Sequence, residues 1–163
     1  MLLFLRSIFF AALFPGTVTL VVPWLIVSRG GATLLRGIGA LQYLAVVPIT
    51  IGVAILARCI WEFAAKGRGT LAPVDPPKHL VVTGLYRYVR NPMYVGALTL
   101  ILGEAALFRS VALLEYAAGF FLFVNVFVMF YEEPILQRRF GESYDRYRRA
   151  VHRWLPGKPF EGS

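Results

Sequence analysis

Polar residues that could form a binding site concentrate in two short segments of an otherwise apolar chain. Residues 78–94 read KHLVVTGLYRYVRNPMY, and Glu132 and Glu133 stand side by side in a later YEEP segment. Two adjacent carboxylates can hold a hydroxyl pair, an ammonium group or a cationic ligand. Interfacial salt bridges to Arg87 or Arg90 explain the same pair. The residue types alone therefore leave a ligand site and an ion pair open.

Two further polar motifs have a structural interpretation, and the first of them also has a functional one. Arg58 and Glu62 lie one helical turn apart, as in an interfacial pair with a snorkelling stem or in two side chains that line a polar cavity. Asn91 and Pro92 suit the start of a helix, because Asn is a good N-cap and Pro fits the first turn.

Several chemistries lack the residues that they need. His79 and His152 are far apart in the sequence and Cys59 is the single cysteine, so we expect no metal site and no internal disulfide. The sequence contains no GxSxG elbow, no phosphate-binding glycine loop and no HExxH motif. Hydrolase and nucleotide-phosphate functions therefore have no support.

The composition predicts a membrane protein in which these motifs are carried by helices. Hydrophobic residues make up 58% of the 163 residues and charged residues only 16%, which argues against a disordered chain or a soluble domain. We predict a single all-α integral membrane domain over residues 1–163. Its four transmembrane runs are 2–27, 38–63, 93–108 and 111–131.

The last two runs should form a tight antiparallel hairpin, because only Arg109 and Ser110 separate them. Such a hairpin makes the start of the third helix a neighbour of the end of the fourth. Gly96 and Gly103 are seven residues apart on one face of the third helix, where another helix or a ligand could approach closely.

The charge distribution predicts the orientation of these helices. The loop over 66–90 carries five Lys or Arg residues, and the C-terminal segment from Glu132 carries seven. The positive-inside rule then places both ends of the chain and this loop in the cytoplasm. Residues 135–154 should form an amphipathic helix that lies on the membrane or caps the bundle. Because its arginines alternate with a regular apolar face, the lipid bilayer is a simpler partner than nucleic acid.

Four short motifs follow one another in order: LVxxGxY at 80–86, RxPxY at 90–94, the glutamate pair, and FGxxYxxY at 140–147. Together they resemble the isoprenylcysteine carboxyl methyltransferase family, which belongs to a wider group of membrane methyltransferases that includes phospholipid methyltransferases. The resemblance covers about 66–156, just over half of the chain. The first two helices are similar to the family only in being hydrophobic.

The resemblance implies S-adenosylmethionine as the methyl donor, bound at the cytoplasmic ends of the hairpin. It implies a lipid-like or small apolar methyl acceptor. We expect a multi-pass protein of a prokaryotic inner membrane, with both termini and the active site in the cytoplasm. Arg90 and Asn91 are its candidate catalytic residues. The implied cofactor-binding residues are Lys78, His79, Leu80, Val81, Tyr86, Asn91, Pro92, Met93, Tyr94 and Glu132.

Two positions depart from the family pattern. Asn91 stands where many members have histidine, and an amide cannot titrate near neutral pH. Val128 stands where eukaryotic isoprenylcysteine enzymes carry an arginine that can pair with the carboxylate of the acceptor. A small thiol, a lipid amine or another apolar molecule therefore stays open as the acceptor.

Two other functions fit parts of the pattern. Sterol reductases have a similar hairpin and bind NADPH, although they are longer and typically lack the glutamate pair. A non-enzymatic membrane scaffold would explain the hydrophobicity and the basic C-terminal segment, but it would not explain four ordered motifs.

Overall fold

The structure is a computed structural model that describes residues 13, 15–31, 39–66, 80 and 82–161. All regular secondary structure in these residues is helical, in agreement with the predicted all-α class. A 3-10 turn, Gly84–Arg87, precedes α3, and a π-helical turn, Val128–Glu132, joins α4 to α5. The helices are α1 Thr17–Gly30, α2 Ala40–Lys66, α3 Pro92–Phe108, α4 Val111–Phe127, α5 Glu133–Phe140 and α6 Glu142–Ala150.

Among the described residues, two helical stretches are long and apolar enough to cross a membrane. They are Gln42–Glu62 and Val111–Phe140, and the second runs from α4 through the π-helical turn into α5. Thr17–Gly30 and Pro92–Phe108 are apolar but shorter. Large apolar side chains such as Leu44 remain exposed on the outer faces of these helices. A lipid environment accounts for such faces, because exposed apolar patches of this kind are rare on soluble monomers.

Helices α2 and α3 approach each other closely along a line of glycines. A Cβ atom added at Gly52 would lie 2.7 Å from Leu100 N and 2.8 Å from Gly96 O. One added at Gly103 would lie 2.7 Å from Ile49 Cγ1. Small residues at such positions let helix backbones meet, and dispersion contacts then hold them together. Gly96 and Gly103 therefore serve helix packing.

Helices α3 and α4 are joined by two residues that end one helix and begin the next. Arg109 adopts a left-handed backbone conformation with φ 48°. Ser110 caps α4, because its Oγ accepts a hydrogen bond from Leu113 N at 3.2 Å. The two helices pack through a core shared with α2. Its buried members are Leu56, Ala97, Leu100, Ile101, Ala117, Phe120 and Val124.

The C-terminal segment differs from the single helix predicted over 135–154. Helix α5 ends at Gly141, whose backbone takes φ 49° and ψ −125°, a conformation that glycine adopts most easily. Helix α6 then runs only to Ala150, and Val151 is extended. The helical periodicity of the apolar residues was correct for each piece, but it does not reveal the break at the glycine.

Residues 141–160, called the tail below, pack against the loop that precedes α3. Arg90 N donates to His152 O, Gly157 N to Tyr88 O and Phe160 N to Arg87 O, each at 2.9 Å. The apolar face of α6 is buried in this contact. Tyr144 and Tyr147 of this face and Val151, which follows the helix, pack with Leu80, Val82, Leu136, Phe140 and Phe160. Of the two placements predicted for this segment, the structure shows it packed on protein.

The close contact of α2 with α3 predicts the effect of one methyl group. Gly52→Ala should lower the free energy of unfolding by about 1–3 kcal/mol, because the new atom would overlap the backbone of α3. Gly119→Ala is the control, since open space surrounds Gly119 within α4, and it should stabilise by roughly 0.5–1 kcal/mol. Thermal unfolding of both variants in detergent measures the difference, and equal midpoints would contradict the close contact.

Candidate functional site

The glutamate pair lies where the helical backbone widens. The π-helical turn Val128–Glu132 ends at the first glutamate, and α5 begins at the second. Pro134 sits in the first turn of α5, a position where its missing N–H costs little. Single π-helical turns inside α-helices are frequent at functional sites. Sequence periodicity did not predict this turn.

Glu133 is the centre of a buried ion-pair network. Its Oε1 lies 3.0 Å from Arg90 Nη1 and 2.8 Å from Arg153 Nε, and its Oε2 accepts from Arg153 Nη2 at 2.9 Å. The side chains of Glu133 and Arg90 are 10% and 11% exposed. The fork of Arg153 thus binds the carboxylate with two hydrogen bonds, the geometry in which charged pairs are strongest. Of the two pairings weighed from the sequence, Arg90 is the one observed.

Glu132 has a different environment from its neighbour. Tyr94 Oη donates to Glu132 Oε2 at 3.3 Å. In the described part of the chain no ion pair reaches this carboxylate. One glutamate of the pair is therefore held by two arginines, whereas the other is contacted by a tyrosine hydroxyl.

Three tyrosines connect the tail to the loop before α3. Tyr147 Oη donates to the carbonyl oxygen of Tyr86 at 2.6 Å, and Arg90 Nη1 donates to Tyr144 Oη at 3.3 Å. Burial raises the pKa of Tyr144 and of Tyr147 above the ordinary tyrosine value. Burial also raises the pKa of Tyr86, and the nearby Cys59 and Glu132 add to this shift. All three phenols are therefore neutral at physiological pH and keep a proton to donate.

Asn91 does not act as the helix cap that its sequence position indicates. It occupies the N-cap position of α3, but its side chain makes no capping hydrogen bond. Asn91 Nδ2 instead donates to Arg153 O at 3.3 Å. The prediction that its side chain caps α3 is wrong, because the tail passes close enough to offer a carbonyl acceptor. Pro92 stands in the first turn of α3, as its fixed φ favours.

A small cleft opens beside these groups. It encloses about 30 Å³, room for one or two waters and far below the roughly 300–1,000 Å³ of drug-sized ligand sites. The cleft must widen before it can admit a large ligand. Its lining residues are Arg90, Asn91, Val128, Glu132, Glu133, Leu136, Tyr144 and Tyr147.

The structure brings some of the predicted site residues together and separates others. Arg90, Asn91 and Glu132 share the cleft, and Tyr94 reaches it through its bond to Glu132. Leu80 packs in the aromatic cluster of the tail, and Met93 packs against the helical core. The predicted residues Lys78, His79 and Val81 lie outside the described residues.

Arg153 and the tail tyrosines are the site residues that sequence reasoning underestimated. The amphipathic helix predicted over 135–154 includes Arg153 on its arginine-bearing face, but Arg153 follows the end of α6 and binds Glu133. The sequence offers little indication of this role for Arg153, because its spacing does not distinguish it from the other arginines of the basic C-terminal segment. The three-residue spacing of Tyr144 and Tyr147 was the better indication, because it puts both rings on one helical face.

The fold and the site together define a class: an all-helical protein with membrane-length apolar helices and a buried polar site where its loop, tail and π-helical turn meet. Comparison with known families makes this class specific. The sequence model for the phospholipid methyltransferase family matches residues 41–143, well over half of the chain. The chain therefore belongs to the phospholipid methyltransferase family, which confirms the resemblance found in the motifs.

One curated relative supports the same group. The chain is 38% identical over 80 residues to protein-S-isoprenylcysteine O-methyltransferase of Schizosaccharomyces pombe (strain 972 / ATCC 24843). The match covers 48% of this chain and 34% of the relative, so the chain spans about a third of that relative's length. No solved structure matches the chain significantly.

The network around Glu133 predicts a large cost for removing one carboxylate. Glu133→Ala should lower the free energy of unfolding by about 3–5 kcal/mol, because two arginines would lose their buried partner. Arg148→Ala is the matched control, since Arg148 pairs with Asp145 at the surface and should cost less than about 1 kcal/mol. Unfolding in detergent compares the two variants. Similar losses would contradict a structural role specific to Glu133.

Proposed function

We propose that this protein is an integral membrane methyltransferase that uses S-adenosylmethionine and methylates a lipid-like or small apolar acceptor. Membership of the phospholipid methyltransferase family supports the reaction class. The observation that carries the proposal is the cleft in which Glu132 lies without an ion-pair partner among the described residues, beside a neutralised Glu133. A carboxylate in that setting suits a ligand that brings hydroxyl or ammonium donors.

The residues present fit the chemistry of this donor, although the cleft must open to admit it. The donor carries ribose hydroxyls, an ammonium and a sulfonium. The Glu132 carboxylate can accept from the hydroxyls or the ammonium, and the faces of Tyr86 and Tyr94 suit adenine or a sulfonium. The loop before α3 adds backbone groups, since Val82 and Thr83 belong to no helix. These groups would hold the donor.

The protein's part in the reaction is mainly to position the two reactants. When bound, the donor supplies an electrophilic methyl group, and transfer requires the acceptor to attack in line with the breaking carbon–sulfur bond. Arg90 fixes the glutamate pair through Glu133 and leaves its own Nε buried without a partner in the described residues. Asn91 links the start of α3 to the tail. Both therefore shape the site, and neither is positioned as a general base.

The membrane arrangement that fits this activity has four spans. Gln42–Glu62 and Val111–Phe140 supply two long helices, and Thr17–Gly30 and Pro92–Phe108 would be the shorter ones. The basic loop and tail favour a cytoplasmic site in a prokaryotic inner membrane. In this arrangement the donor arrives from water, and the acceptor arrives from between the helices.

The methyl acceptor is the least specified reactant, and Val128 limits the acceptors that the site can bind. This residue is 1% exposed, lines the cleft and offers no charge to an acceptor carboxylate. The proposal therefore favours an apolar thiol or a lipid amine over a prenylcysteine carboxylate. An amine acceptor would have to arrive deprotonated, because no general base is assigned.

Ligand binding to the purified protein tests the reaction class. In calorimetry with protein in detergent, S-adenosylhomocysteine should bind and NADPH should not. Binding of NADPH alone would move the protein to the reductase class and contradict the role of Glu132. Binding of neither ligand by folded protein would support a scaffold instead.

Variants test the assignment of the site. Glu132→Ala and Tyr86→Ala should each weaken S-adenosylhomocysteine binding by about 10-fold or more, because the first removes a charged hydrogen-bond acceptor and the second an aromatic face for adenine. Glu142→Ala is the matched control, because Glu142 is exposed on the tail and should leave binding unchanged. Equal effects of all three variants, with folding intact, would contradict the site.

A further inference from the structure

A second buried carboxylate lies outside the cleft, near the end of α2. Glu62 is 3% exposed, and its Oε1 accepts from Arg58 Nε at 3.0 Å, although the Arg58 side chain is 60% exposed. Glu62 Oε2 is buried and has no hydrogen-bond partner within the part of the chain that the structure describes. Burying a carboxylate oxygen without a hydrogen bond costs free energy, so we expect a ligand to supply the donor that this atom lacks.

The Glu62 carboxylate lies directly against the loop that bears the LVxxGxY motif. A Cβ atom at Gly84 would overlap this carboxylate, and Gly84 takes φ +57°, so both space and backbone favour glycine there. The residue before it, Thr83, has a buried Oγ1 that also lacks a partner in the described residues. The Glu62 carboxylate oxygen beside Gly84 and the hydroxyl oxygen of the preceding Thr83 thus both lack a hydrogen-bond partner in the described residues.

Tyr86 is hydrogen-bonded both to the residue before Gly84 and to a residue of the cleft. Its backbone N–H donates to the carbonyl oxygen of Thr83 at 3.1 Å. Its side chain is hydrogen-bonded to that of Cys59, which lies one turn before Glu62 on α2. The charge of Glu132 also reaches the Tyr86 phenol. On its other side, the carbonyl oxygen of Tyr86 accepts from Tyr147, which lines the cleft. Tyr86 thus contacts both Thr83, which carries one of the unsatisfied oxygens, and Tyr147, which lines the proposed donor site.

We propose that Glu62 and Thr83 form a second subsite for the methyl donor and bind the ammonium of its amino-acid end. The inference rests on the proposed function. An ammonium has three N–H donors and a positive charge, which complement a carboxylate oxygen and a hydroxyl oxygen that both lack donors. Glu132 then serves the ribose hydroxyls, so the two carboxylates divide the ligand between them.

Two ligands and two variants test this subsite. 5′-Methylthioadenosine has the adenosine and the sulfur but no ammonium, whereas S-adenosylhomocysteine has all three. Glu62→Gln should weaken S-adenosylhomocysteine binding by about 10- to 100-fold, and Thr83→Val by about 3- to 10-fold. Neither variant should change binding of 5′-methylthioadenosine. Glu142→Gln is the matched control and should change neither affinity.

Each outcome separates this inference from the function on which it rests. If the unaltered protein binds S-adenosylhomocysteine and Glu62→Gln binds it equally well, the subsite is overturned and the proposed function stands. Equal losses of both ligands by a folded variant would overturn the ammonium assignment. If Glu62→Gln does not fold, Thr83→Val decides by the same comparison. No binding of S-adenosylhomocysteine to the unaltered protein would overturn both proposals.

Discussion

The carboxylate of Glu133 joins three parts of the chain that are distant in sequence. It pairs with Arg90 before α3 and with Arg153 after α6, while its own backbone begins α5. In a poorly hydrated interior, two arginines held together without this carboxylate would repel each other strongly. Glu133 therefore balances the two arginines that the loop and the tail bring to the π-helical turn. Because Glu132 directly precedes Glu133, the same contact also directs Glu132 towards Tyr94.

The apolar part of the fold complements this polar end. Helices α2 and α3 meet through glycines, so their backbones can approach without large side chains between them. Trp154 of the tail then packs near the helices, where its Nε1 donates to Asn125 Oδ1 at 2.9 Å and its ring contacts Phe121. Apolar outer faces and a polar end are what the proposed reaction requires, since its two reactants would come from lipid and from water.

Sequence reasoning was accurate where neighbouring residues decide the outcome. Long apolar runs predicted the helical class, and ordered motifs predicted the family that the comparisons confirm. The two-residue link at Arg109 and Ser110 predicted that Arg90 and the glutamate pair would be neighbours, and the structure places them in contact. Sequence reasoning was wrong about the Asn91 side chain, because the distant tail competes for it and it donates there instead of capping α3. It was also wrong about one helix over 135–154, because apolar periodicity does not reveal the backbone break at Gly141.

The sequence by itself determined that this is a helical, strongly apolar protein with its polar motifs grouped near helix ends, because hydrophobic length and periodicity are local properties. The tertiary structure alone decided that Glu133 pairs with two arginines while Glu132 accepts a hydrogen bond from Tyr94 and has no ion-pair partner among the described residues. It also decided that Glu62 is buried against Gly84. The physical reason is that burial and charge pairing depend on which distant segments meet. The two adjacent glutamates differ only in the partners that the fold brings to them.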